Sequence, residues 1–274
     1  MFKKVPLQNR TLLVATRGFT IIELVAVIVV MGILSVSLTG ILTLSMKSHL
    51  SANNRLQMVN DGRFVIERIS REVRTALPNS IRVGSNGAVQ CVEFVPISFS
   101  ATYAIGELPT AAALNRIDVV DFDYSTVTNN YVAAAIAESK HFYDSSENRR
   151  HPLQGVGAKN ATTNLRRITL TSAQTFNQDS PTRRLYIVQQ PVSFCATSSR
   201  IYRYSGYGIS TTQAVPPAGG VLFTEGMDTS DLVNDPVFEE KSTGNDSMLI
   251  LDAKFSQDSE TVRFSREVFL HNVI

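Results

Sequence analysis

Apolar residues along this chain change spacing twice, and each change predicts a different element. From Phe19 to Met46 they run almost unbroken, F-T-I-I-E-L-V-A-V-I-V-V-M-G-I-L-S-V-S-L-T-G-I-L-T-L-S-M, and Glu23 is the only charge between Arg17 and Lys47. Leu24 to Met46 alone would make a helix of about 34 Å at ~1.5 Å per residue, enough for a bilayer core of roughly 30 Å. After Lys47 the run becomes spaced: Leu56, Val59, Ile66, Ile69, Val73 and Leu77 recur at intervals of three, four and seven, one face of a helix. Arg63 with Glu67, Glu67 with Arg71 and Arg68 with Glu72 are opposite charges four apart on the wet side. Pro78 disfavours helical geometry at Leu77 and predicts the stop. One helix from Phe19 to Leu77, about 88 Å long at ~1.5 Å per residue, is therefore expected, with a soft point at Asn60-Asp61-Gly62.

Beyond Pro78 the period drops to two. Ser80 to Val83 and Ala88 to Ile97 flank Ser85-Asn86-Gly87, and Asn-Gly is a strong hairpin signal. Further strands are predicted at Ile117 to Tyr124, Arg166 to Thr171, Arg184 to Val192, Arg200 to Tyr207, Met248 to Phe255 and Thr261 to Leu270. The fold class that follows is α+β: a long N-terminal helix, half membrane anchor and half amphipathic, packed on an antiparallel β-sheet head. Thr126 to Asn164, with its Ala-rich piece Val132 to Glu138, and Gly208 to Asp246 do not fit the strand pattern and are expected as long loops, which are usually functional or mobile.

Charge adds topology. Residues 1–18 carry Lys3, Lys4, Arg10 and Arg17 and no acid, and basic residues flanking a span stay in the cytoplasm. The formal charge of the chain is +2, from 26 Lys and Arg against 24 Asp and Glu; without those four cations the balance is 22 against 24, or −2, with no bulk nucleic-acid signature. An ordinary secretory signal has a shorter apolar core followed by its cleavage site, so cleavage here would have to precede the apolar run. A carboxylate in a membrane helix costs on the order of 2.5–3.5 kcal/mol at the centre and less near an end, so Glu23 calls for a partner. A cut after Gly18 would supply one, because the new amine of Phe19 on a neighbouring subunit can pair with Glu23 while helices pack side by side.

The stretch G-F-T-x-I-E-L, from Gly18 to Leu24, resembles the class III signal of type IV pilins and type II secretion pseudopilins. The resemblance implies a prepilin peptidase that cuts after Gly18 and methylates Phe19 as the mature terminus, with Glu23 as the assembly carboxylate. R-F-V-I-E-R-I-S-R-E-V-R-T-A-L-P-N-S-I-R-V, residues 63 to 83, and Q-C-V-E-F-V-P-I, residues 90 to 97, are similar to the MshO-type minor pilins of mannose-sensitive haemagglutinin (MSHA) pili. The likeness covers Gly18 to about Ile97 and is dilute beyond. Gly40 stands where many pilins carry a helix-kinking proline. Residues 1–18 are then a cleaved leader, 19–46 a transmembrane and filament-core helix, and 47–274 a periplasmic head made of the half-helix 47–77 and the sheet and loops 78–274.

Cys91 and Cys195, an even pair in an exported domain, read as a disulfide, which other minor pilins favour; two buried free thiols are the alternative. For a loop near 100 residues the bridge would stabilise by up to about 4.7 kcal/mol. No C-x-x-C, H-E-x-x-H or G-x-S-x-G is present, and Gly206-Tyr207-Gly208 lacks the context of a phosphate loop, so no enzyme is expected. His49, His141, His151 and His271 are scattered and read as surface residues. Asp228, Asp231, Asp235, Glu239, Glu240 and Asp246 crowd one stretch; they match no EF-hand spacing, and calcium there is the one cofactor the sequence leaves open. Arg183-Arg184-Leu185-Tyr186 and Arg200-Ile201-Tyr202-Arg203-Tyr204 alternate cations and aromatics as a nucleic-acid surface would, and equally as any half-buried sheet does.

The resemblance thus implies a minor pilin that primes or caps an MSHA-type pilus used in surface attachment. Its partners would be the prepilin peptidase and methyltransferase, other minor and major pilins, and the inner-membrane assembly platform. The chain would sit in the inner membrane with a cytoplasmic N-terminus and periplasmic head, reaching the cell surface on assembly. The rivals are a minor pseudopilin of type II secretion and a tip adhesin, for which Tyr131, Phe142, Tyr143 and Tyr207 are candidate glycan-stacking rings in a chain without tryptophan.

Overall fold

The computed structural model describes residues 18–125, 130–243, 246–258 and 260–270; the leader cations and His271 lie outside the described residues. The chain divides into two compact units, one ending at Asn53 and the other Asn54–Ile274. Helix α1, Ile21–Arg74, contributes to both and runs through Gly40 and Asn60-Asp61-Gly62 without a break. It stops before Pro78 is reached. The backbone N–H groups of Thr75 and Ala76 donate to the carbonyls of Glu72 and Val73, three residues back, and Leu77 N–H then donates to the carbonyl of Val95 at 2.7 Å. A long-range bond thus replaces the helical one at the residue before the proline.

In the second unit the inward face of α1 is Met58, Gly62, Val65, Ile66, Ile69 and Val73, all buried. The expected stripe was out of phase at its start, since Leu56 is 61% exposed and Val59 is half-buried. Gly62 belongs to the buried face for a steric reason. A Cβ there would lie 2.1 Å from the ring of Phe264, so the supposed soft point is a close-packing point.

Three antiparallel sheets complete this unit, with strands numbered in chain order. The first has five strands, in the spatial order β1 (Arg82–Ser85), β2 (Val89–Phe94), β9 (Val192–Thr197), β10 (Arg200–Ser205) and β11 (Val221–Glu225). The second has six, in the order β3 (Ile97–Thr102), β8 (Arg184–Val188), β5 (Tyr131–Ala134), β6 (Arg150–Val156), β7 (Leu165–Gln174) and β4 (Leu114–Val120). The third is β12 (Phe238–Thr243), β13 (Asp246–Gln257) and β14 (Glu260–Leu270). The expected Asn-Gly hairpin joins β1 to β2: Gly87 takes φ +89°, and Asn86 Oδ1 accepts from the N–H groups of Ala88 and Val89. Both long segments expected as loops contain strands. β5 is a central strand of the six-stranded sheet and is followed by a short helix α2, Ser139–Tyr143, while β11 and β12 lie in the 208–246 stretch.

The main core lies between α1 and the five- and three-stranded sheets, where Val65, Ile69 and Val73 meet Phe94, Phe194, Leu249 and Phe255. A second core fills the inside of the six-stranded sheet, which curls until its edge strands touch at Tyr103 and Val119. Leu77, Val95, Phe142 and Tyr143 form a third cluster with Ala133 and Val188. Ion pairs pin the wet flank of α1 to the strands, Glu72 to Arg203 at 3.1 Å and Glu67 to Arg266 at 2.8 Å.

Candidate functional site

The N-terminal candidates lie together at the start of α1. Gly18, Phe19 and Thr20 precede its first turn, and the Thr20 hydroxyl accepts the backbone N–H of Glu23 at 3.3 Å. Thr20 therefore caps the helix, and Glu23 occupies the first turn, where a negative charge complements the helix dipole. The cap escaped the sequence reading although T-x-x-E is legible as a capping pattern. Among the described residues the Glu23 carboxylate has no ion-pair partner, and Phe19 is 80% exposed. The hydroxyls farther along satisfy themselves within the helix: Ser35 donates to Met31 O, Ser37 to Ile33 O, Thr39 to Ser35 O and Thr43 to Gly40 O, at 2.7–3.1 Å. That pattern suits a low-dielectric surround, since each of these four hydroxyl protons is satisfied by the helix itself. By length and composition α1 can cross a membrane.

In the head, Cys91 and Cys195 stand directly opposite each other on β2 and β9 and form a disulfide. Both are fully buried, and residues 206–215 fold over them: Gln213 donates to Cys91 O at 3.2 Å, and Val215 and Tyr207 pack on the bridge. Arg82 holds this covering segment, donating to the carbonyls of Thr211 at 2.7 Å and Ser210 at 2.9 Å. Its Nε–H donates to the Glu93 carboxylate, and its guanidinium stacks 3.6 Å from the centre of the Tyr143 ring. Glu93 also accepts from the Tyr207 hydroxyl at 2.8 Å, which in turn takes a bond from Ser193. Burial first, and the Glu93 charge second, push the Tyr207 hydroxyl pKa far above the ordinary tyrosine range, so it stays a donor.

The acidic stretch is answered by bases from the neighbouring strands. Asp228 meets Lys254 at 2.8 Å, and that bond with the Ser230 hydroxyl lowers its pKa to about 2. Asp235 meets Arg263 at 2.5 Å, Asp231 accepts from Asn234, and Glu239 pairs with Lys241 at 3.5 Å. Glu240 is raised by burial, and the Asp246 side chain lies outside the described residues. Among the described residues no group of three or more His, Cys, Asp or Glu is placed to share a metal ion.

Other sequence candidates are redistributed. The two arginine-tyrosine segments are not on neighbouring strands, because β8 and β10 belong to different sheets. Arg200 and Arg203 are committed to Glu225 and Glu72, and Tyr204 is buried. The expected surface histidines include two buried ones: His141 Nδ1 accepts from Ala137 and Glu138 N–H, and His151 packs edge-on to Phe176 with Nε2 3.0 Å from Thr175 O. Nor do the four aromatics make an exposed platform. Phe142 and Tyr143 are core residues, and Tyr131 and Tyr207 are half-buried.

Compared with known protein families, with curated proteins and with solved structures, the chain matches none.

Proposed function

We propose that this chain is a minor pilin, a non-enzymatic structural subunit that primes or caps an MSHA-type type IV pilus. The observation that carries the proposal is the sequence Gly18-Phe19-Thr20 leading into a capped helix whose apolar half, up to Met46, has a single charge, Glu23, with no ion-pair partner among the described residues. In this reading a prepilin peptidase cuts after Gly18 and methylates Phe19. Glu23 then recruits the Phe19 amine of an adjacent subunit, because a carboxylate at membrane depth gains most from a cation that shares its low-dielectric surround. The apolar half of α1 packs into the filament core, and the head supplies contacts to other pilins and to the assembly platform. A disulfide in the head agrees with export to the periplasm. A minor pseudopilin shares every one of these N-terminal features and is the second reading.

The test is electron microscopy of a strain lacking the protein, with surface attachment and secreted proteins scored in the same culture. Loss of pili is expected. Intact pili with failed secretion would replace the proposal by the pseudopilin, and intact pili with failed attachment by a tip adhesin. Within the same strain, Glu23→Ala should be cleaved normally and fail to enter filaments, as read by immunoblot of sheared pili; normal incorporation would remove Glu23 from the mechanism.

A further inference from the structure

A recess of about 390 Å³ opens where α1 passes the turn between β9 and β10 and the ends of β11 and β13. Met58 and Phe255, both buried members of the main core, supply its apolar lining. The polar lining is held by backbone bonds. Ser198 and Ser199 keep positive φ angles, and Ser199 is pinned at both ends: its N–H donates to the Thr229 hydroxyl at 2.9 Å, and its carbonyl accepts from Met227 N–H at 3.1 Å. Next to Gln257, the Asp258 carboxylate accepts from the Asn54 side chain at 2.8 Å and so ties the end of β13 to α1. The recess is therefore preformed.

Its charges do not balance. Three charged side chains line it, Asp61 of α1, Arg200 of β10 and Glu225 of β11. Arg200 meets Glu225 at 3.6 Å on the exposed rim, where the two cancel. Asp61 is half-buried and stands one helical turn from Met58, so its carboxylate lies beside the apolar lining. Among the described residues that carboxylate has neither a hydrogen bond nor an ion pair. Gln57, Gln257 and Ser256 add neutral groups that can accept a proton as well as donate one. An unanswered carboxylate next to an apolar wall favours a cation that brings its own apolar stem.

We propose that this recess binds an organic cation carried on a short alkyl stem, the chemistry of a lysine side chain or of a free diamine. The methylenes lie along Met58 and Phe255, and the ammonium donates to Asp61 and to a serine hydroxyl or glutamine carbonyl of the lining. Selectivity follows from the same groups: an anion is repelled by Asp61, and a neutral alkyl chain leaves that carboxylate without a partner. The proposal is independent of the pilin reading.

The test is a titration of the full chain in non-ionic detergent, with carbon-13-labelled methionine methyl groups, read by the NMR shift of the Met58 methyl. The probes are acetyl-lysine-methylamide, cadaverine, and acetyl-norleucine-methylamide, which keeps the stem and lacks the ammonium. Met31 and Met46, in the apolar half of α1, report any effect on the detergent. A saturable Met58 shift with a Kd of about 1–10 mM is expected for an amine probe, about tenfold weaker in Asp61→Asn and absent with the norleucine probe. Asp61 bonds to nothing within the described chain, so that variant should keep the thermal midpoint of the parent. Binding of the lysine probe identifies a side chain of another protein as the source, and binding of cadaverine alone a free diamine; either supports the site. The proposal is overturned if neither amine gives a saturable Met58 shift up to about 50 mM, if the norleucine probe matches the lysine probe, or if Asp61→Asn binds unchanged.

Discussion

Arg82 and Glu93 are each almost enclosed, with 14% and 2% of their side chains exposed. A buried pair of this kind is weak evidence of net stability, but removing one partner strands the other charge at a cost of about 3–5 kcal/mol. Arg82→Ala should therefore lower the urea midpoint of the head strongly, whereas the double variant Arg82→Met with Glu93→Leu, which leaves no bare charge, should recover much of the loss. His151 makes a pH prediction. Burial lowers its pKa below the usual 6.5, so the unfolded chain takes up the proton at higher pH than the folded one does. Stability is thus held above pH 6.5 and falls as the pH drops below it; His141 shifts in the same direction for the same first cause. Urea midpoints measured from about pH 8 to 5 should decline, and His151→Gln should flatten that slope. Neither histidine's burial was legible in the sequence, because a lone His gives no periodic signal.

At the scale of elements, α1 was the most legible part of the chain, because apolar content and spacing persist over many turns. Its phase was less so. Leu56 and Val59 fit the period as well as Met58 and Gly62 do, and the sheets packed on the helix, with Phe264 of β14 against Gly62, choose between them. Gly62→Ala should destabilise the head by about 1–3 kcal/mol through overpacking, and Phe264→Leu in the same chain should relieve part of it, as judged by thermal unfolding. β5 was hidden for the opposite reason. Tyr131–Ala134 is flanked by β6 and β8, and Val132, Ala133 and Ala134 are all fully buried, so it shows neither alternation nor bulk. β9 was also missed: the expected strand Arg184 to Val192 ends as β8 at Val188, and Val192–Thr197 is a strand of its own that reaches β10 through Ser198 and Ser199, at positive φ angles of 45° and 65°. These strands were found by register, not by composition.

For the molecule as a whole, the α+β class and the disulfide were readable, and the division of the head among three sheets was not. The pairs that decide it join distant segments, such as β2 with β9 and β3 with β8. The site proposed at Gly18, Phe19 and Glu23 rests on local sequence; the contact proposed for it is between molecules and leaves no mark within one. Removing the bridge by Cys91→Ser with Cys195→Ser should cost about 2–5 kcal/mol, measured by denaturant unfolding of the purified protein. The placing of that bridge also dictates an order of events in the cell. With both sulfurs sealed under residues 206–215, which Arg82 ties down, an oxidising enzyme can reach the thiols only while that flap is still undone. The bond is therefore written early in the life of each copy, and once the flap closes over it, reductants meet a finished surface with nothing to attack.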